Sequence, residues 1–241
     1  MADKSIVVVT VCLDVEGLET TRGAVERSFA AAGVVGPTNP TLLDQRHQLG
    51  EALGVVNIPN AVWIDENGML VRPVEPAWPG PRPATSALAG TDLPDRVKAI
   101  SEQAALIQAD RDAYAVAVRD WAELGAASRY VLSADEVIAR SQPRDIDRAL
   151  AAAHFELGQY FHRLGQADSA TPHFKASHEL QPENWTYKRQ AWELSSRVGG
   201  PLDRFWQGPM PGQEEVWPYD GDWLTDIKSI GAAQYYPAFV P

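Results

Sequence analysis

A single cysteine, Cys12, stands in the whole chain. That scarcity excludes an intramolecular disulfide, a Cys-x-x-Cys redox pair and a multi-thiolate zinc site. Long hydrophobic runs are missing too. No stretch reaches the roughly 18 apolar residues that read as a membrane-spanning helix. The apolar run Ile6 to Cys12 has Thr10 inside it and lacks a basic flank and a small-residue cleavage site, so it does not read as a signal peptide. A cytoplasmic location is the expectation. Positive charge is short as well: 21 Lys+Arg stand against 32 Asp+Glu, a net charge of −11 over 241 residues. Nucleic-acid phosphates and anionic bilayers repel such a chain, so neither is expected as a partner. Glycine-rich phosphate loops and a G-x-S-x-G elbow are absent. What is present is ordinary for a globular protein: 45% hydrophobic and 22% charged residues.

Residues 1–76 read as alternating strand and helix. Ile6–Leu13 is a β-branched run with the signature of a strand buried on both faces, which makes Cys12 a buried thiol flanked by Asp14 and Glu16 rather than a reactive one. Val25, Phe29 and Ala32 follow at helical spacing, with Thr20 or Thr21 as cap and Gly33 as stop. Thr41–Leu43 is a short extended piece, and Asp44 caps a second helix closed by Gly54. Ala61–Ile64 and Met69–Val74 flank Asp65-Glu66-Asn67-Gly68, a hairpin signal in which both Asn67 and Gly68 are expected at positive φ. Residues 77–95 are Pro-rich and read as a linker. A helical pattern runs from Pro94 to about Gly125, and Ser133-Ala134-Asp135-Glu136 is a capping box. Residues 96–200 are therefore helical. Residues 201–241 hold six of the 18 prolines and eight of the 21 aromatics, a tail expected to drape over the body as an anchor. Its acidic run Asp220, Asp222 and Asp226 reads as solvated.

The order strand, helix, short strand, helix, then Ile58-Pro59 before a hairpin resembles the thioredoxin-like fold, most closely the TlpA/ResA-type disulfide reductases. Val7–Asp14 matches the strand after the redox helix. Leu42-Leu43-Asp44 with Leu49, Gly54 and Val55, then Asn57-Ile58-Pro59 and Val62-Trp63-Ile64-Asp65-Glu66-Asn67-Gly68, match the segments that follow. The resemblance implies a cis bond before Pro59 and makes Ile58 and Pro59 the substrate-binding loop, with no catalytic residue assigned. The family's first strand and its Trp-Cys-x-x-Cys helix have no counterpart here. Dithiol exchange needs an attacking and a resolving thiol, so the chain is expected to be inactive in it. The absent strand would lie between Val7–Leu13 and Ala61–Ile64. Three explanations stand: a start at an internal Met (a selenocysteine codon read as a stop would give the same result), a strand donated by another chain, or closure into a degenerate non-redox fold.

Residues 151–184 are similar to one tetratricopeptide unit. Leu157-Gly158, Phe161, Gly165, Ala170, Phe174 and Pro182 take the motif positions, with Ser177 and His154 as departures and Pro172 placed in the first turn of the second helix. Leu157, Phe161, Ala170 and Phe174 are expected to interlock. The fold class is thus an incomplete thioredoxin-like α/β part joined to an all-α, tetratricopeptide-like part. Its function reads as redoxin-related without the cysteine pair, with a helical region for a protein or peptide partner; the alternative is a non-catalytic adaptor. His154, His162, His173 and His178 match no zinc spacing, Asp220 begins no calcium loop, and neither metal nor cofactor is expected.

Overall fold

The computed structural model describes residues 6–31, 36, 39–77, 92–141, 143–196 and 206–241. An α/β segment comes first and an almost all-helical bundle follows it. The α/β segment holds β1 (Thr10–Leu13), α1 (Leu18–Ala31), β2 (Thr41–Asp44), α2 (Gln48–Leu53), β3 (Asn60–Ile64) and β4 (Leu70–Pro76). β1 and β2 run parallel, Val11 opposite Leu42 and Cys12 opposite Leu43. β3 and β4 form an antiparallel hairpin. The two pairs are separate two-stranded sheets, and no ladder joins β1 to β3.

The expected strand from Ile6 shortens to Thr10–Leu13. Val7, Val8 and Val9 are 77%, 51% and 51% exposed. The physical reason is a missing cover: no described side chain of 6–56 belongs to either hydrophobic cluster, so no apolar layer packs over the faces of this run. The α1 cap differs as well. Asp14 accepts from the Glu16 amide at 3.0 Å and the Thr21 hydroxyl at 3.2 Å, while Thr21 sits inside the helix. The proposed stop at Gly33 lies outside the described residues. Asp44 does serve α2, accepting from the amides of Gln48 and Gly50 at 2.9 Å each, and Gly54 closes it at φ 77°. In the hairpin turn only Gly68 takes positive φ. Asp65 accepts from the Asn67 and Met69 amides, an Asx turn that leaves Asn67 in ordinary conformation.

The helices are α3 (Asp95–Leu106), α4 (Arg111–Leu124), α5 (Ala134–Arg140), α6 (Ile146–Arg163), α7 (Ala167–Leu180), α8 (Trp185–Ser195) and α9 (Trp223–Ile230). The expected single helix from Pro94 breaks between α3 and α4 because it serves two cores. Ile100, Ala104 and Ile107 pack on one cluster; Tyr114, Ala117 and Trp121 pack on another. The Ser133–Glu136 capping box is formed. α6 and α7 pack together around the Gly165 turn. A Cβ on Gly158 would stand 2.6 Å from the Phe174 ring, so glycine there admits that ring. Two expectations fail. Leu157 is 43% exposed, its interlocking place taken by Phe155. Pro172 lies inside α7, beyond its first turn, because the helix starts as early as Ala167.

The larger core joins Phe155, Phe174, Trp185, Tyr187 and Trp192 to the tail's Tyr219, Trp223, Ile227, Tyr235 and Tyr236. The tail is thus an anchor, as its aromatic content requires. Its acidic run is not solvated throughout. Asp222 is buried and pairs with Arg96 at 3.1 Å, Asp226 pairs with Lys188 at 2.7 Å, and only Asp220 is exposed, 3.7 Å from Lys175. Helix cations meet these carboxylates as the tail docks. The smaller core holds Trp63, Val71, Tyr114, Ala117 and Tyr130, with Phe239 against it. Arg72 is fully buried beside it. Its guanidinium donates twice to Glu75 at 2.8 Å, and to the carbonyls of Tyr130 and Val240. It also lies over the rings of Phe239 and Trp63, at 4.9 and 5.4 Å. No described helix is long and apolar enough to cross a membrane.

Candidate functional site

Ile58 and Pro59 lie between α2 and β3, and the bond joining them is cis. The Ile58 side chain is 39% exposed, but its backbone is engaged. Its amide donates to Asn57 Oδ1 at 2.9 Å. Its carbonyl accepts from the Tyr236 hydroxyl at 2.6 Å. The Pro59 carbonyl accepts from the Ala77 amide at 3.1 Å. Upstream, Val56 O accepts from the amides of Trp185 and Thr186, and Asn57 Nδ2 donates to Tyr235 O. The loop is therefore pinned between the start of α8 and the tail. Tyr235 and Tyr236 are themselves buried, and burial pushes the Tyr236 phenol up, so it stays a donor. The sequence marked the tail as an anchor. Nothing in it singled out Tyr236 as the residue that reaches Ile58.

Cys12 is half-buried rather than buried, on a strand that neither hydrophobic cluster covers. Burial and the nearby Asp14 both push its thiol up, away from a nucleophilic thiolate. Four of the five histidines divide into two kinds. His154 and His173 face each other across α6 and α7, Nδ1 to Nδ1 at 2.9 Å, with Phe161 stacked on His173. His47 is buried, His178 is half-buried, and both are held neutral. Desolvation lowers His47 to about 4; desolvation and then Lys188 lower His178 to about 3. His178 lines a cleft of about 280 Å³ with Trp192, Tyr219 and the Lys188–Asp226 pair. Among the described residues no group of three or more His, Cys, Asp or Glu could hold a metal ion.

No protein-family model matches the chain, and no curated protein or solved structure matches it either. The site must be read from its own geometry. That geometry offers one thiol held protonated, a loop whose backbone groups are bonded internally, and two sheets whose outer edges are unpaired among the described residues.

Proposed function

We propose that the protein works by binding polypeptide, not by thiol chemistry of its own. The thioredoxin-like α/β segment accepts an extended strand, and the tetratricopeptide-like helices and tail hold that segment in place. One observation carries this reading: among the described residues β1 and β3 each pair on one side only, with the exposed β-branched run Val7–Val9 leading into β1. Unpaired strand edges are templates for another strand, and strand addition gives affinity through backbone hydrogen bonds. The net charge of −11 disfavours an acidic ligand, so the partner segment is extended and apolar with neutral or basic flanks. The test is hydrogen exchange with an alternating valine–threonine peptide carrying arginine at each end. At about 1 mM even a complex of about −4 kcal/mol half-forms. Slowed exchange over 6–13 and 60–64 supports the reading; unchanged exchange there overturns it.

A second reading keeps redoxin-family thiol–disulfide chemistry. What supports it is the order strand, helix, strand, helix, hairpin. Insulin reduction with dithiothreitol separates the two. The binding reading expects no rate above buffer. Turnover that disappears in Cys12→Ser would make Cys12 a nucleophile and reverse the conclusion.

A further inference from the structure

A second cleft, of about 150 Å³, opens where the end of α2, strand β4, the end of α5 and the starts of α6 and α8 meet. Arg140, Arg144 and Arg148 line it, against a single lining carboxylate, Glu51. In a chain with eleven more acidic than basic side chains, this is a local positive excess, of one charge once Glu183, the partner of Arg148, is counted with Glu51. The larger cleft has the opposite balance, with Lys175 and Lys188 against Glu179, Asp220 and Asp226. Arg144 pairs with Glu51 and keeps 46% of its side chain exposed. Arg148 pairs with Glu183 at 3.1 Å and is 44% exposed. Arg140 spends one N–H on the Val240 carbonyl at 3.1 Å. Each guanidinium has five donors, so each retains donors beyond these contacts. Tyr187, its phenol pushed up to about 12 by burial, and the amide of Gln181 add neutral polar groups to the wall.

We propose that this cleft binds a phosphate dianion. Guanidinium forks match the oxygens of phosphate two at a time. A phosphate monoester carries about −1.5 to −2 charges at neutral pH, enough to compete with Glu51 and Glu183 for the guanidinium groups of Arg144 and Arg148. A cleft of about 150 Å³ has room for the phosphate head, with any organic remainder outside. Glu51 then acts as the internal competitor that holds Arg144 until an anion arrives.

The experiment is calorimetric titration of the full chain with inorganic phosphate and, separately, with O-phosphoserine, at fixed ionic strength set by chloride. Saturable binding of either is the expected result. Tighter binding of O-phosphoserine assigns the site to a monoester, and equal binding to free phosphate. Arg144→Gln with Arg148→Gln should weaken binding about tenfold or more, the loss expected when two charge-assisted hydrogen-bonding groups go. Glu51→Gln should tighten it, because Arg144 loses its competitor while the cleft gains positive charge. No saturable heat with the native chain, undiminished binding by the double variant, or weaker binding by Glu51→Gln overturns the proposal. If the double variant does not fold, Glu51→Gln alone decides by the sign of its effect.

Discussion

Residues 6–56 and the hairpin that follows belong to one α/β segment, yet they are held in different ways. The hairpin is built into the body. Trp63 and Val71 share a core with Tyr114, Ala117 and Tyr130, and Arg72 ties the tail to it. No residue of 6–56 enters either hydrophobic cluster among the described side chains. That earlier stretch is attached mostly by polar contacts, Val56 O to the start of α8, Val15 N to Gln190 and Glu51 to Arg144, with the buried Val15 and the edge of His47 against Phe155 as its apolar contribution. Apolar burial stabilises by about 25 cal/mol per Å², whereas an exposed ion pair contributes about 0–1 kcal/mol. Sheet formation by itself therefore does not place a strand in the core. What decides it is whether a second layer covers the strand.

The sharpest way to break this contrast is to strike the body. Phe174→Ala should cost about 3–5 kcal/mol, as other buried Phe truncations do. Arg72→Met should cost a similar 3–5 kcal/mol, because it strands Glu75 in a buried setting. Urea unfolding followed by tryptophan fluorescence reads both. A loss under about 1 kcal/mol in either would mean that the cores are looser than their burial indicates.

Acid supplies the next largest effect. His47 and His178 are held neutral well below the ordinary value near 6.5. As pH falls from 6.5 to about 4 for His47 and about 3 for His178, the unfolded chain takes up protons that the folded one refuses. Stability present above pH 6.5 is therefore lost on acidification, by up to about 1.4 kcal/mol per pH unit for each group. His47 sits on the weakly held stretch and His178 in the body. Urea midpoints at about pH 7 and about pH 5 should draw together in His47→Asn and in His178→Asn, through the same linkage. A native-like pH slope in both variants would remove the histidines as its cause.

Tyr236→Phe is the smaller test. It removes the donor to Ile58 O, a single hydrogen bond of about 0.5–1.5 kcal/mol. Exchange should quicken at residues 56–60 and stay unchanged in α6. A uniform change would mean that the hydroxyl supports the whole core instead of pinning the loop.

How much of this was legible depended on the range of the interactions. The Ser133–Glu136 box, the Asp44 bonds and the Gly54 stop are local, and the spacing of residues announced them. The helix–turn–helix over 146–180 was legible as well, but the seat of the Phe174 ring against Gly158 was not, since it depends on how the two helices approach. Arg72 beneath Phe239 and Tyr236 on Ile58 join residues more than 160 positions apart, and no periodicity encodes such a meeting. The arginine cleft draws on five elements and was invisible for the same reason. The β-branched run misled because composition records a strand's preference for burial without saying whether anything covers it.

That run supplies the smallest expected effect and the finest test of the contrast. Val7, Val8 and Val9 expose half or more of their surface, so Val→Thr at each position removes little buried apolar area. The change in stability should stay within about 0.5 kcal/mol, the usual range for surface positions. The same three substitutions in the buried strand position of a covered sheet would each carry a desolvated hydroxyl and cost more. Denaturant midpoints of the triple variant decide between these cases, measured at two protein concentrations. A loss above about 1 kcal/mol that grows with concentration would mean that a second copy already covers the edge, since association stabilises by mass action. A loss of that size independent of concentration would place the run inside the protein's own core and end the distinction between residues 6–56 and the hairpin. The expected null result leaves the edge open, which is the condition strand addition requires.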